Sequence, residues 1–166
     1  MLRPVEISKF TNAVERIGKE WMLITAAADG KVNTMTASWG CVGELWNKPV
    51  AICFIRPQRY TYEFTEKSDK LSLSFFGKDM RGALALCGRE SGRDTDKFAA
   101  TGLNVAYCDD TPYIAEAHDV LICRKLYADD LREDSFIDRK LLEHYPIKDY
   151  HRVYVCEIEK VLSDAE

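Results

Sequence analysis

The chain of 166 residues has no apolar run near the ~20 residues that a membrane-spanning helix requires. Its 23 Lys and Arg face 27 Asp and Glu, a net charge of −4 with both signs interspersed. That balance leaves no basic footprint for nucleic acid. Six cysteines are present but no C-x-x-C pair, so spacing argues against both a zinc site and a disulfide framework. Cys53, Cys123 and Cys156 lie in strand-like runs and read as small buried hydrophobes. Only Cys87, before Gly88 near a loop, keeps thiol chemistry open. No G-x-G-x-x-G segment occurs, which removes a Rossmann-type dinucleotide fingerprint. Neither a Ser-His-Asp set nor paired carboxylates call for a hydrolase. Residues Met1 to Glu6 carry no apolar signal-peptide core, so a cytoplasmic protein is expected.

What remains is the composition of a globular domain, 46% hydrophobic and 30% charged. No repeat, low-complexity tract or linker divides it, so residues 1–166 are expected to form one domain. Trp21 to Ala28 is an apolar, β-favouring run, and Asp29-Gly30 separates it from a second strand. Asp-Gly between two such runs is a strong hairpin signal, because both turn positions take positive φ. Pro49 to Arg56 is a near-continuous apolar strand with both faces covered. Arg59 to Lys70 reads as a helix, Leu71 to Phe76 as a strand and Asp79 to Cys87 as a helix stopped by Gly88. Ser91 to Asp94 has the form of a capping box for a helix ending at Thr101-Gly102. Leu103 to Tyr107, Asp119 to Tyr127 and His151 to Leu162 are further strands, and Ile137 to His144 is a possible last helix. The fold class is mainly β, a barrel with helical inserts; the opening hairpin disfavours a parallel βαβ order.

The hairpin's second strand, Asn33 to Gly40, is the most informative stretch. A period of two sets Thr34, Thr36 and Ser38 on one face and Met35, Ala37 and Trp39 on the other. β-propensity alone explains such a pattern. Yet a row of short hydroxyls also lets a flat or phosphorylated ligand approach the backbone, with Met35 and Ala37 packed inward. A second cluster, Arg56 to Thr61, joins a buried strand to a helix start. Two arginines there oppose the helix dipole unless an anion or carboxylate joins them. A third, Ser91 to Lys97, is explained by capping, although Lys97 could reach a phosphate or ring carbonyl.

Taken in order, T-M-T-A-S-W-G, N-K-P-V-A, R-P-Q-R-Y-T-Y-E-F, L-S-F-F and C-G-x-x-S-G-R-D-x-D-K-F resemble the flavin reductase-like FMN-binding split-barrel family. The nearest subgroup is the flavoredoxin type. In this chain the matching stretches are Thr34–Gly40, Asn47–Ala51, Arg56–Phe64, Leu73–Phe76 and Cys87–Phe98, and the ending Asp149–Tyr154 is similar. The resemblance implies a six-stranded antiparallel Greek-key split barrel, a homodimer and FMN near the subunit interface. It implies that Asn33, Thr34, Met35, Thr36, Ala37 and Ser38 line the flavin and that Trp39 flanks its ring. Arg56, Arg59, Tyr60 and Thr61 would meet the phosphate or ring edge, and Lys97 would hydrogen-bond the flavin. Either His151 or His144 would contribute from the C-terminal part or the partner chain. Activity is expected as NAD(P)H oxidation through FMN to a small-molecule or protein acceptor. The alternatives are an electron carrier without nicotinamide activity, and a non-catalytic ligand-binding barrel.

Overall fold

Each β-hairpin turn sits where the backbone must take positive φ. A computed structural model describes residues 2–164. Strands β2 (Met22–Ala28) and β3 (Lys31–Ala37) pair antiparallel from Ala28↔Lys31 to Met22↔Ala37. Their turn holds Asp29 at φ 51° and Gly30 at φ 72°, as the Asp-Gly signal predicts. A second turn of this kind, Trp46-Asn47 at φ 55° and 54°, joins β4 (Gly40–Leu45) to β5 (Lys48–Ile55). β4 is an edge strand absent from the strands expected above, because its two glycines and largely exposed residues leave little apolar signal.

The remaining strands are β1 (Arg3–Val5), β6 (Lys70–Phe75), β7 (Val105–Cys108), β8 (Thr111–Ile114), β9 (Asp119–Asp130) and β10 (Arg152–Ser163). The main sheet runs β3-β2-β6-β9-β10-β5-β4, with β1 added on β10, and every pairing is antiparallel. This is the expected antiparallel split barrel, but its sheet has eight strands where six were expected, with β1 and β4 among its marginal strands. β3 and β4 are the two ends of the path, yet only Ser38 and Trp39 separate them in sequence. The sheet therefore curls back on itself without closing. A seam remains between the outer edge of β3 and the end of β5.

Alternation along the strands divides the core in two. Met22, Ile24, Met35, Ala37, Cys53, Ile55, Leu73, Phe75 and Tyr154 fill the barrel interior. Leu23, Val120 and Ile122 point outward instead, beneath Leu84 and Cys87 of α3 (Arg81–Arg89) and Ile114 of the β7–β8 hairpin. Both faces are thus covered along most of β2 and along Val120–Cys123 of β9, where the sequence is nearly or wholly apolar.

Short helices finish the fold: α1 (Ala13–Glu15), α2 (Tyr60–Lys67) and α4 (Lys97–Thr101). Here two expectations need correction. Ser91 is not a helix cap; its carbonyl accepts from Asp94 and Thr95 in a turn. Asp96 caps α4 instead, accepting from the Ala99 amide at 3.1 Å. The turn brings Gly92 against Asn33. The helix expected from Ile137 is a short 3₁₀ segment, Arg139–His144. No helix among the described residues is long and apolar enough to cross a membrane.

Candidate functional site

A groove of about 220 Å³ opens along the seam. Its walls are Met35 to Trp39 on one side and Phe54, Arg56, Arg59 and His151 on the other. β3 has only β2 as a neighbour, so its outer edge carries peptide groups that no strand satisfies. The Thr34 carbonyl accepts from Lys97 Nζ, which places that edge away from β2. By the two-residue alternation, the peptide group of Thr36 faces the same way.

The hydroxyl row divides along its length. Thr34 is fully buried; its Oγ1 lies 2.9 Å from Thr25 Oγ1 and donates to the Ile24 carbonyl at 3.1 Å. It does not line the groove, contrary to the expectation from parity: its hydroxyl is held by β2 and its carbonyl by Lys97. Thr36 lines the groove, with its hydroxyl donating to the Leu84 carbonyl of α3 at 2.5 Å. Ser38 lines it without such a tie. Met35 and Ala37 are buried in the barrel core as expected and reach the groove only along one side. Trp39 breaks the alternation: it stands outside both strands, is 44% exposed and flanks the groove.

Arg56 and Arg59, expected as a joint anion site, go separate ways. Arg56 Nη1 pairs with Asp149 at 2.5 Å and its Nη2 donates to the His144 carbonyl at 2.8 Å. The carboxylate that relieves the helix start thus comes from the chain itself, 93 residues away. Gln58 also donates to Asp149, at 2.6 Å. Burial opposes the Asp149 charge, but these hydrogen bonds hold the carboxyl below its ordinary value. Arg59 turns to the end of α3, donating to the carbonyls of Gly88 at 2.9 Å and Cys87 at 3.3 Å. Burial lowers the affinity of this guanidinium for its proton.

Lys97 is 3% exposed, and its ammonium bonds the Thr34 carbonyl at 2.8 Å and that of Cys87 at 3.0 Å. Burial pushes it down to about 8. The Cys87 thiol is buried and moves upward, which removes the reactive thiolate left open by the sequence. Lys97, Asn33 and Tyr60 line a neighbouring cavity of about 510 Å³. Asn33 Nδ2 donates to Thr61 Oγ1 at 2.9 Å, and both are buried. Thr61 therefore supports Asn33 and lines neither cavity. Tyr60 stands edge-on to Phe64, with the Arg93 guanidinium 4.8 Å over its ring.

Of the two histidines, His151 reaches the groove. Its Nδ1 lies 2.7 Å from Tyr145 Oη, and its ring is 5.3 Å from that of Trp39. Burial, with Arg56 nearby, pushes the imidazole down to about 4, so it is neutral at pH 7. His144 packs edge-on against Trp39 from outside the groove. Phe54 in the groove and Tyr145 behind His151 carry no sequence signal, because nothing in local spacing ties either one to β3.

The assembled groove offers unpaired peptide groups, an exposed indole, two guanidinium groups, of which Arg56 is paired with Asp149, and a neutral imidazole. Such a set suits a flat ligand with polar edges. No curated protein sequence matches the chain. Among solved structures it is similar to an FMN-binding domain of a flavin reductase-like enzyme from Shewanella baltica OS155, with TM-score 0.73 and 19% identity over 99% of this chain and 78% of that one. The flavoredoxin of Methanosarcina acetivorans gives TM-score 0.69 and 24% identity, over 96% and 76%. That of Desulfovibrio vulgaris (Miyazaki F) gives 0.68 and 20%, over 87% and 69%. The flavin reductase-like domain matches residues 14–166, and the chain belongs to that family.

Proposed function

We propose that the groove along β3 holds FMN and that the protein carries electrons from NAD(P)H through it to an acceptor. One observation supports this reading above the rest: the free edge of β3 lies between an exposed indole and the Arg59–Lys97 pair. When bound, FMN supplies hydride acceptance and one- or two-electron release. The chain's task is to bind and orient it. The Thr36 peptide group and the Ser38 hydroxyl would meet the polar edge of the ring, and Trp39 its face. Arg59 and Lys97 bring positive charge where the phosphate or an electron-rich ring edge would lie. Tyr60 and Asn33 would border the same ligand from the second cavity.

An electron carrier without nicotinamide activity is the second reading. The exposure of Trp39 at the groove's rim favours it, since a partner protein could dock there directly. A homodimer belongs to the proposal as well. Leu141 and Ile147 are exposed on the C-terminal segment whose His144 touches Trp39, and a second copy would cover them. All six cysteines are free thiols, which suits the reducing cytoplasm.

Anaerobic absorbance spectroscopy separates these readings. FMN-loaded protein should bleach with NADH or NADPH; negligible reduction by either would select the carrier.

A further inference from the structure

We propose that Tyr145 holds His151 in a single neutral tautomer, making Nε2–H a fixed hydrogen-bond donor to a carbonyl oxygen of the planar ligand in the groove. Both side chains are 7% exposed. The two rings meet edge-on with centroids 5.5 Å apart, and Tyr145 Oη lies 2.7 Å from His151 Nδ1. Two arrangements satisfy that distance. In one, the phenol donates to Nδ1 and the ring proton sits on Nε2. In the other, Nδ1–H donates to the phenol, whose own proton then needs an acceptor. Tyr145 Oη has no other hydrogen-bond partner among the described residues. A buried hydroxyl left unspent is costly, and imidazole nitrogen is a far better acceptor than a phenol oxygen. The first arrangement wins.

The ring's other nitrogen then decides the function. Nε2 has no hydrogen-bond partner among the described residues, yet it is not sealed; the one sealed side-chain atom without a partner among them is Asp149 Oδ1. It therefore opens onto the groove that His151 lines. Trp39 and Phe54 flank the ring at 5.3 and 6.3 Å and bring no charge. The charged groups acting on it are Arg56 and Asp149, which neutralise one another. Arg56 lies 4.9 Å over the Tyr145 ring and is bonded to the His144 carbonyl, so one guanidinium braces the segment that carries the phenol. A neutral imidazole held this way offers a donor without giving up its proton. That favours recognition of a carbonyl oxygen over that of an ammonium or amide N–H. Tyr145 is a positioning residue here, acting through His151.

The ligand half of this proposal rests on the flavin reading, whereas the tautomer half does not. Long-range ¹H–¹⁵N spectra of histidine-labelled, ligand-free protein at pH 7 should show His151 as the Nε2–H tautomer. In Tyr145→Phe the ring should become a tautomer mixture. FMN titrations should then weaken about tenfold in His151→Phe, the worth of one hydrogen bond, and largely recover in His151→Gln. An Nδ1–H or charged ring in the native protein, or nitrogen shifts unchanged by Tyr145→Phe, overturns the tautomer half. Equal FMN affinity in His151→Phe overturns the ligand half. If the native protein binds no FMN, the flavin reading fails and takes the ligand half with it, while the spectra still decide the rest.

Discussion

Arg59 and Lys97 donate to the same oxygen, the carbonyl of Cys87, at 3.3 and 3.0 Å. That oxygen belongs to the last turn of α3, where carbonyls lack helical partners and the dipole is negative. Two cations expected to serve a ligand are therefore first of all a helix cap. They join α3 to the edge of β3, through Lys97 and Thr34, and to the start of α2. Any anion in the groove meets charge that is already fixed in place.

Lys97 gives this arrangement a pH signature. Its folded value, about 8, lies below the ordinary lysine value, so between these limits the unfolded chain binds more protons than the folded one. Stability should rise as the pH climbs from about 8 towards 10.5. Denaturant midpoints across that range check this, and Lys97→Met should flatten the rise.

His151 acts in the same sense on the acid side. Its folded value, about 4, lies below the ordinary 6.5, so the unfolded chain again binds the extra proton between them. Stability should fall as pH drops through this window, and His151→Gln should reduce the fall. Thermal melts at pH 7 and pH 4.5 make the comparison.

Arg56→Ala would leave Asp149 buried without its ion partner. Removing one member of a buried pair costs about 3 kcal/mol, and the partial burial here places this pair towards that figure's lower side. Arg56→Ala with Asp149→Asn should recover most of the loss, as a double-variant cycle in urea would show.

Gly92→Ala tests the lining of the second cavity. An added Cβ would lie 2.2 Å from Asn33 Oδ1 and 3.0 Å from Tyr60 Cδ1. Asn33 cannot retreat without breaking its bond to Thr61. A loss of about 1–3 kcal/mol is expected from such overpacking, measurable by chemical denaturation.

Local chemistry made much of this legible. Asp29-Gly30 placed the hairpin, and alternation placed Met35 and Ala37 in the core. The motif order pointed to the family. Long-range choices stayed hidden. Thr34 and Thr36 are equivalent by parity, and only partners distant in sequence separate them: Thr25 and Lys97 occupy the first, while the second stays at the groove. Arg56 looked like a ligand's partner because its carboxylate lies 93 residues on. The pairing of Tyr145 with His151 depends on the fold of an irregular segment, which periodicity does not describe.

Fluorescence-monitored titration of the purified protein with FMN tests the central claim most directly, with Arg59→Ala and Ser38→Ala measured beside it. Saturable quenching at one FMN per chain, weakened by both substitutions, is the predicted result. Colourless protein that fails to quench added FMN would contradict the account.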